Sequence, residues 1–267
     1  MFRLFFLGIL FLFHGPIVLA VAPPAVKDPE WGDLTGRFIF DGEPPKPVEL
    51  VINKDREVVK GPIFDESLVV DSKTHGIANV FVWLVPERDK LVETHPDHEK
   101  SKKDPVVLQM KGLRFQPHCV VFRTGQKLTI LNKDPVGHNT PIESGKNPEF
   151  QSLIPSGGPI VKILKNLEPT PLPISCNNHP WENGYFLVQD HPYMALTSTT
   201  GEFTIKNLPV GKHSFRVWHE TCRSVTKVQH DGKEQEWKKG RLDIEIKPGR
   251  NNLGDVLVTG ETLKRRY

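Results

Sequence analysis

The sequence has few cysteines, little net charge and no long apolar run beyond its first residues. It contains 3 cysteines in 267 residues, and its formal net charge is +3. Because three is an odd number, intramolecular disulfides leave at least one thiol for another role. Proteins that bind nucleic acid usually carry a strongly basic face, so the near-neutral balance argues against nucleic acid as a partner.

The first 22 residues have the pattern of an export signal. Arg3 precedes an apolar run that ends at Phe13, and an Ala-Val-Ala pattern ends at Ala22. This order is typical of a cleaved signal peptide. The run is about half of the roughly 20 residues that a membrane-spanning helix needs, so we expect no stable membrane span after cleavage. The sequence therefore predicts a periplasmic or secreted protein.

Proline and glycine are abundant, with 24 and 21 residues, and they fall between short apolar runs. Proline and glycine at such positions are typical of short strands joined by turns, so the sequence predicts an all-β fold. The charged stretch between Arg88 and Asp104, which contains Pro96, is expected to be a surface loop. The strand-like segments are Leu34–Phe40, Ala78–Val85, Val106–Met110, Phe115–Phe122, Lys127–Leu131, Ile160–Leu164, Leu172–Ser175, Gly184–Val188, the alternating stretch Thr200–Trp218, Leu242–Ile246 and Val256–Thr259.

The sharpest chemical signal is Cys176-Asn-Asn-His179, with His138 following a turn earlier in the chain. A soft thiolate with two imidazoles is a ligand set that suits a trigonal copper site. In an exported protein a thiol without such a role tends to oxidise, which strengthens the interpretation. We therefore predict one copper ion at His138, Cys176 and His179. Zinc at the same ligands, and a sandwich that keeps the loop but binds no metal, stay open as alternatives.

The stretch from Phe115 to Val188 resembles a cupredoxin. The resemblance rests on Thr124–Ile130, on Asn132–Asn139 and on the loop that begins at Cys176, whose C-x-x-H-P-W sequence is most similar to the amicyanin subgroup. The chain as a whole resembles exported proteins of the methylamine utilisation type. The cupredoxin resemblance covers about a third of the chain and implies a Greek-key β-sandwich.

The resemblance also implies roles for individual residues. His138, Cys176 and His179 would be equatorial copper ligands, and the hydrogen bonds of Asn139 would tie the two ligand loops together. His179, on an exposed loop, would be the port through which electrons reach a redox partner protein. The position of the axial methionine is occupied by Glu182. A carboxylate there could be an ionised ligand that lowers the potential, a protonated group, or a side chain that points to water.

A second resemblance lies outside this stretch. Thr200–Trp218 is similar to the carboxypeptidase-regulatory-like, transthyretin-type β-sandwich, and the strand before Gly42 together with the Val-rich strand Asn79–Leu84 resembles the start of that class. We therefore predict a discontinuous sandwich with the cupredoxin inserted into it, although three consecutive units are the alternative. The predicted division is 1–22 signal peptide, 23–31 Pro-rich linker, 32–104 and 191–262 the two parts of the regulatory-like sandwich, 105–190 cupredoxin-like domain, and 263–267 basic tail.

The remaining candidate residues have structural explanations. Four histidines adjoin strands and are predicted to be hydrogen-bonded structural residues: His118, His191, His213 and His219. Cys119 and Cys222 either pair in a disulfide or stay as two buried thiols. No nucleophile elbow, phosphate loop or dinucleotide fingerprint occurs, so the protein is not predicted to be an enzyme. The leading function is one-electron transfer; a copper-holding or partner-binding, adhesive β-module is the alternative.

Overall fold

The computed structural model describes residues 30–88 and 90–264. The predicted signal peptide, most of the predicted linker and the last three residues of the predicted tail lie outside the described residues. Within the described ranges, no helix is both long and apolar enough to cross a membrane. Leu263, which the sequence places in the basic tail, is buried at 3% exposure because it packs into a hydrophobic core.

The regular secondary structure of the described chain is almost entirely β-strand, which confirms the predicted all-β class. One five-residue α-helix, α1 (Pro96–Lys100), lies in the segment expected to be a loop. The strands are β1 (Trp31–Asp41), β2 (Phe81–Val85), β3 (Val106–Met110), β4 (Phe115–Gln116), β5 (Cys119–Arg123), β6 (Lys127–Asn132), β7 (His138–Ile142), β8 (Phe150–Ile154), β9 (Pro159–Ile163), β10 (Leu172–Ser175), β11 (Asn183–Gln189), β12 (Met194–Leu196), β13 (Glu202–Pro209), β14 (Gly211–His219), β15 (Arg223–Ser224), β16 (Lys227–His230), β17 (Lys233–Glu236), β18 (Arg241–Ile246) and β19 (Gly249–Thr259).

Strands from the two ends of the described chain form one sandwich, which we call the terminal sandwich. Its first sheet has the order β13-β1-β19-β16-β17, and its second joins β12, β2, β14 and β15, with β18 on β14. Every second residue of β1 is buried, as expected for a strand with one face on a core. The two sheets share a core that includes Phe38, Leu84, Phe215 and Val256.

Strands β3 to β11 form a second body, which we call the central unit. Its sheets are β10-β11-β5, β4-β3-β6-β9 and the pair β7-β8. They enclose a separate core that includes Leu108, Phe122, Ile130 and Phe186. The predicted strand Phe115–Phe122 is broken around Pro117, which has no N–H to donate to a ladder.

The two bodies meet through an apolar, aromatic interface. Cys119 and Leu187 of the central unit pack with Phe81, Trp83 and Trp218 of the terminal sandwich. The Trp218 ring lies edge-on to Phe81, with ring centroids 5.3 Å apart. Because these side chains are 4% exposed or less, the contact is part of the protein's core.

Candidate metal centre

The loop that carries three of the predicted ligands closes a β-hairpin. Strands β10 and β11 pair antiparallel, with Ser175 opposite Asn183, so the loop between them begins at Cys176. The Cys176 N–H donates to the Glu182 carbonyl at 3.0 Å, and the Glu182 N–H donates to the His179 carbonyl at 2.8 Å. These bonds fold the loop back on itself and bring its side chains to one place.

His138 reaches the same place from the first residue of β7. Two hydrogen bonds join its segment to the hairpin loop: the Asn177 N–H donates to the Asn139 carbonyl at 2.8 Å, and Asn178 Nδ2 donates to the Gly137 carbonyl at 3.1 Å. Asn139 thus ties the loops through its backbone, while its side-chain oxygen accepts from Gln151 Nε2 at 3.2 Å.

The four predicted ligand residues form one buried cluster. One donor atom from each of His138, Cys176, His179 and Glu182 lies within 4.8 Å of all the others. Cys176 Sγ is 3.7 Å from His138 Nδ1 and 3.5 Å from His179 Nδ1. Two ligand atoms that each bind one tetrahedral ion at about 2.0–2.3 Å are separated by about 3.5 Å, so the thiolate and imidazole donors fit a shared metal ion.

Glu182 faces the cluster and not the solvent. Its Oε2 lies 2.7 Å from His138 Nδ1 and 3.4 Å from His179 Nδ1, and the residue is 1% exposed. Of the three alternatives for this carboxylate, the one that points to water is therefore wrong. The carboxylate oxygen stands among the nitrogen and sulfur donors as a fourth potential ligand.

The outer nitrogen of each histidine ring meets a carboxylate. His138 Nε2 lies 3.3 Å from Asp134 Oδ2, and His179 Nε2 lies 2.9 Å from Asp55 Oδ2. Both histidines are 0% exposed. The expectation that His179 is an exposed electron port is therefore wrong, because the ring has no exposed surface and its outer nitrogen contacts Asp55.

In the metal-free cluster, the pKa values of both histidines are raised. Burial lowers the pKa of both histidines, but hydrogen bonds to anionic neighbours outweigh it. For His138, contacts with Asp134, Cys176 and Glu182 raise the pKa to about 11. For His179, Glu182, Asp55 and Cys176 raise the pKa to about 9. A metal ion must therefore displace protons from these rings before it binds.

Cys176 and Cys119 differ in thiol acidity. Burial raises the pKa of the Cys176 thiol, yet hydrogen bonds with His138 and with the backbone of Asn139 and Asn178 together outweigh it and hold this pKa below its ordinary value. For Cys119, burial among apolar groups raises the pKa well above the ordinary value. In the described part of the chain, Cys119 and Cys222 are buried thiols and no disulfide joins them. Of Cys176 and Cys119, the more acidic thiol is Cys176, at the cluster.

The four histidines predicted to be structural lie outside the cluster, in hydrogen bonds of their own. His118 Nε2 is 2.6 Å from Glu220 Oε1, and His219 Nδ1 is 2.9 Å from Thr221 Oγ1. His213 Nε2 lies 2.7 Å from the Pro209 carbonyl, and the Tyr193 N–H donates to His191 Nδ1 at 3.2 Å.

The sequence interpretation missed both carboxylates that contact the histidine rings. Asp134 precedes His138 by four residues, and a carboxylate close to a candidate ligand is a signal that could have been noticed. Asp55 is 124 residues from His179 in the sequence, and its surroundings contain no pattern that indicates a metal site.

No protein family matches the chain, and no curated protein matches it. Solved structures similar to part of it include a reduced, Cu(I) form of an amicyanin variant, at 15% identity over 32% of this chain and 82% of amicyanin, with a TM-score of 0.29. A purple cupredoxin from Nitrosopumilus maritimus is 18% identical over 32% of this chain and 99% of its own, with a TM-score of 0.27. A copper-containing nitrite reductase from Thermus scotoductus SA-01 is 19% identical over 39% of this chain and 25% of its own, with a TM-score of 0.29. Similarity at this level leaves the function to be argued from the site itself.

Proposed function

We propose that the protein binds one copper ion at His138, Cys176, His179 and Glu182 and transfers single electrons through it. The observation that carries the proposal is the convergence of an acidic thiol and two imidazole Nδ1 atoms in one buried cluster. When bound, copper supplies the one-electron redox chemistry, and thiolate with two imidazoles is the donor set that supports it.

The chain would contribute rigidity and exclusion of water. The ligand loop is held at both ends by the pairing of β10 with β11, and the Asn177–Asn139 hydrogen bond links it to β7. Donors that are fixed by a folded scaffold change little between the two oxidation states, which keeps the reorganisation small. Burial of all four residues keeps bulk water away from the centre.

The proposal includes an exported location and a protein partner. The first 22 residues have the composition of a signal peptide, and export would take the chain to the periplasm or outside the cell. A redox partner protein would supply or accept the electron. The balance of charge gives no reason to expect nucleic acid among the partners.

The test begins with metal analysis of purified protein, followed by visible spectroscopy and voltammetry after addition of Cu(II). We expect one copper per chain, an intense thiolate-to-copper absorption and a reversible one-electron wave. Protein that holds zinc in preference to copper, or copper that cannot be cycled, would contradict the proposal.

A second candidate is that the chain holds a metal ion without redox cycling. The observation in its favour is the Glu182 carboxylate, whose Oε2 lies 2.7 Å from His138 Nδ1. A hard anionic ligand favours Cu(II) over Cu(I), and a set of two histidines, one cysteine and one carboxylate also suits zinc. Bound metal without a reversible wave would support this holding or adhesive role over electron transfer.

A further inference from the structure

A loop from outside the central unit covers the ligand hairpin. We call residues 48–65 the cover loop. Its two arms are held together by hydrogen bonds from the Leu50 N–H to the Ile63 carbonyl and from the Asp65 N–H to the Val48 carbonyl, each 2.8 Å long. The loop follows β1 and precedes β2, so both of its ends connect to the terminal sandwich.

The cover loop and the ligand hairpin face each other across a small cavity. Leu50 and Ile63 line a cavity of about 210 Å³ from one side, and Pro180 and Trp181 line it from the other. Glu182 is also part of its wall. The cover loop therefore lies next to the hairpin that carries three of the candidate ligands.

Asp55 projects from the cover loop onto the centre. It stands before a short 3-10 turn, Arg56–Val58, and has a left-handed backbone with φ of 52°. Its Oδ2 lies 2.9 Å from His179 Nε2, and its side chain is 25% exposed whereas that of His179 is fully buried. A left-handed backbone is uncommon and strained for a residue with a side chain. The surrounding structure therefore holds Asp55 in this conformation, with its carboxylate against the buried imidazole.

We propose that Asp55 is a positioning residue of the metal centre: its carboxylate fixes the orientation of the His179 ring and shields the outer edge of that ring from solvent. The inference rests on the proposed function, because it assigns a role toward the bound copper. When the His179 ring is neutral and its Nε2–H donates to Asp55, Nδ1 carries the lone pair, and this nitrogen lies 3.5 Å from Cys176 Sγ. A carboxylate that holds the outer nitrogen of a metal-binding histidine sets the tautomer and the orientation of the ring.

Asp55 differs from Asp134, which makes the corresponding contact with His138. Asp134 belongs to the turn that leads into β7, and its carboxylate also accepts the N–H groups of Gly112 and Leu113 within the central unit. Asp55 reaches His179 from a loop anchored in the terminal sandwich. One of the candidate ligands is thus held in place by the other folded body of the protein.

The test uses full-length protein with two substitutions of Asp55. Asp55→Gly removes the carboxylate, and glycine accepts the left-handed backbone without strain. Asp55→Asn keeps a hydrogen-bond acceptor but removes the charge. Glu57→Ala is the matched control, because Glu57 is an exposed acid on the same turn.

In copper-loaded protein we expect both Asp55 variants to have a higher reduction potential than the wild type, since a negative charge near copper stabilises its oxidised form. Azide, used as the probe, should change the visible spectrum of Asp55→Gly only, because Asp55→Asn still holds the ring. An Asp55→Gly protein with the potential and azide response of the wild type would overturn the inference. Absence of thiolate-to-copper absorption in the wild type would instead overturn the proposed function.

A metal-free measurement tests the positioning role separately. Nitrogen NMR of His179, at a pH where the ring is neutral, should show the proton on Nε2 in the wild type and in Glu57→Ala. In Asp55→Gly we expect a mixture of the two tautomers. Equal tautomer populations in the wild type and Asp55→Gly would contradict the inference whether or not copper binds.

Discussion

Glu182 Oε2 lies 2.7 Å from His138 Nδ1, inside a cluster whose four residues are at most 2% exposed. The same oxygen is 3.4 Å from His179 Nδ1. A carboxylate that shares a buried position with two nitrogen donors cannot be treated as a loop side chain. It determines the charge of the site and, with it, which oxidation state of a bound copper is favoured.

We predict that Glu182→Met raises the reduction potential of the copper-loaded protein by on the order of 100 mV. An anion about 4 Å from copper, at an effective dielectric near 20, contributes on the order of 4 kcal/mol, or roughly 170 mV for one electron. Voltammetry measures the shift. Glu149→Met, which changes an exposed glutamate of the same unit, serves as the control and should leave the potential within a few millivolts of the wild type.

We predict that Cys176→Ser abolishes the visible absorption of the copper-loaded protein, because the band requires a thiolate bound to copper. Cys119→Ser is the control: Cys119 is also buried, but it lies at the interface of the two bodies and its raised pKa keeps it as a thiol. The control should keep the band. Loss of the band in Cys119→Ser, or its survival in Cys176→Ser, would show that the ligand is assigned to the wrong cysteine.

We predict that the metal-free protein loses stability as the pH falls from about 6.5 to about 4. Burial lowers the pKa of His191 and of His219 to about 4, whereas both titrate near 6.5 when unfolded. Between these values the unfolded state binds more protons, so the free energy of unfolding falls as the pH falls. The loss is at most roughly 3 kcal/mol for each histidine. His138 and His179, whose pKa values are raised, add a small opposing slope near pH 6.5 and none well below it, where they are protonated in both states.

Urea unfolding of the wild type and of His191→Gln at pH 7 and pH 4.5 tests this dependence. The variant should show the smaller difference between the two pH values, because it lacks one of the two histidines that are buried neutral. His213→Gln is the control, since the His213 ring is half-buried and contacts the Pro209 carbonyl. The same pH difference in the wild type and His191→Gln would refute the assignment.

We predict that Trp218→Ala divides thermal unfolding into two transitions. The Trp218 ring contacts Phe81 of the terminal sandwich and Tyr185 of the central unit, with centroids 5.3 and 5.1 Å away. Loss of a buried tryptophan costs about 3–5 kcal/mol, and here it also removes part of the contact between the bodies. Calorimetry detects the second transition.

Trp237→Ala is the size-matched control for that experiment. Trp237 is buried in the core of the terminal sandwich, edge-on to Phe38, and it is absent from the interface cluster. It should lower the unfolding midpoint without separating the bodies. A single transition in Trp218→Ala would mean that the remaining interface is sufficient to couple them.

The all-β class was predictable because proline and glycine mark the ends of short apolar runs. Strands such as β2 and β6 coincide with those runs. β7 was missed because its five residues are His-Asn-Thr-Pro-Ile, with a proline and few apolar side chains. The hairpin of β16 and β17 was missed because its residues are mostly polar. Its Asp231-Gly232 turn is nevertheless a strong hairpin signal, which was overlooked because the residues on either side of the turn are polar.

The candidate site was predictable only for residues whose chemistry is uncommon. Cys176 and His179 stand out because thiol and imidazole at this spacing have few other uses. Glu182 could be placed near them but not oriented, since its orientation depends on the fold of the loop. Asp55 could not be predicted, because carboxylates are common and nothing local indicates a contact across 124 residues. Metal binding itself stays a prediction.

The order in which the strands are made has a consequence for how a metal ion would reach the candidate centre. β1 pairs with β13 and β19, so the first strand has no strand partner until β13 has been made, and its sheet is complete only after β19. All strands of the central unit are complete by residue 189. Distant pairings form late, so we expect the four ligand residues to assemble before the cover loop is anchored over them. The nascent chain would then pass through an interval in which a metal ion has direct access to the cluster, and formation of the last sheet would end it.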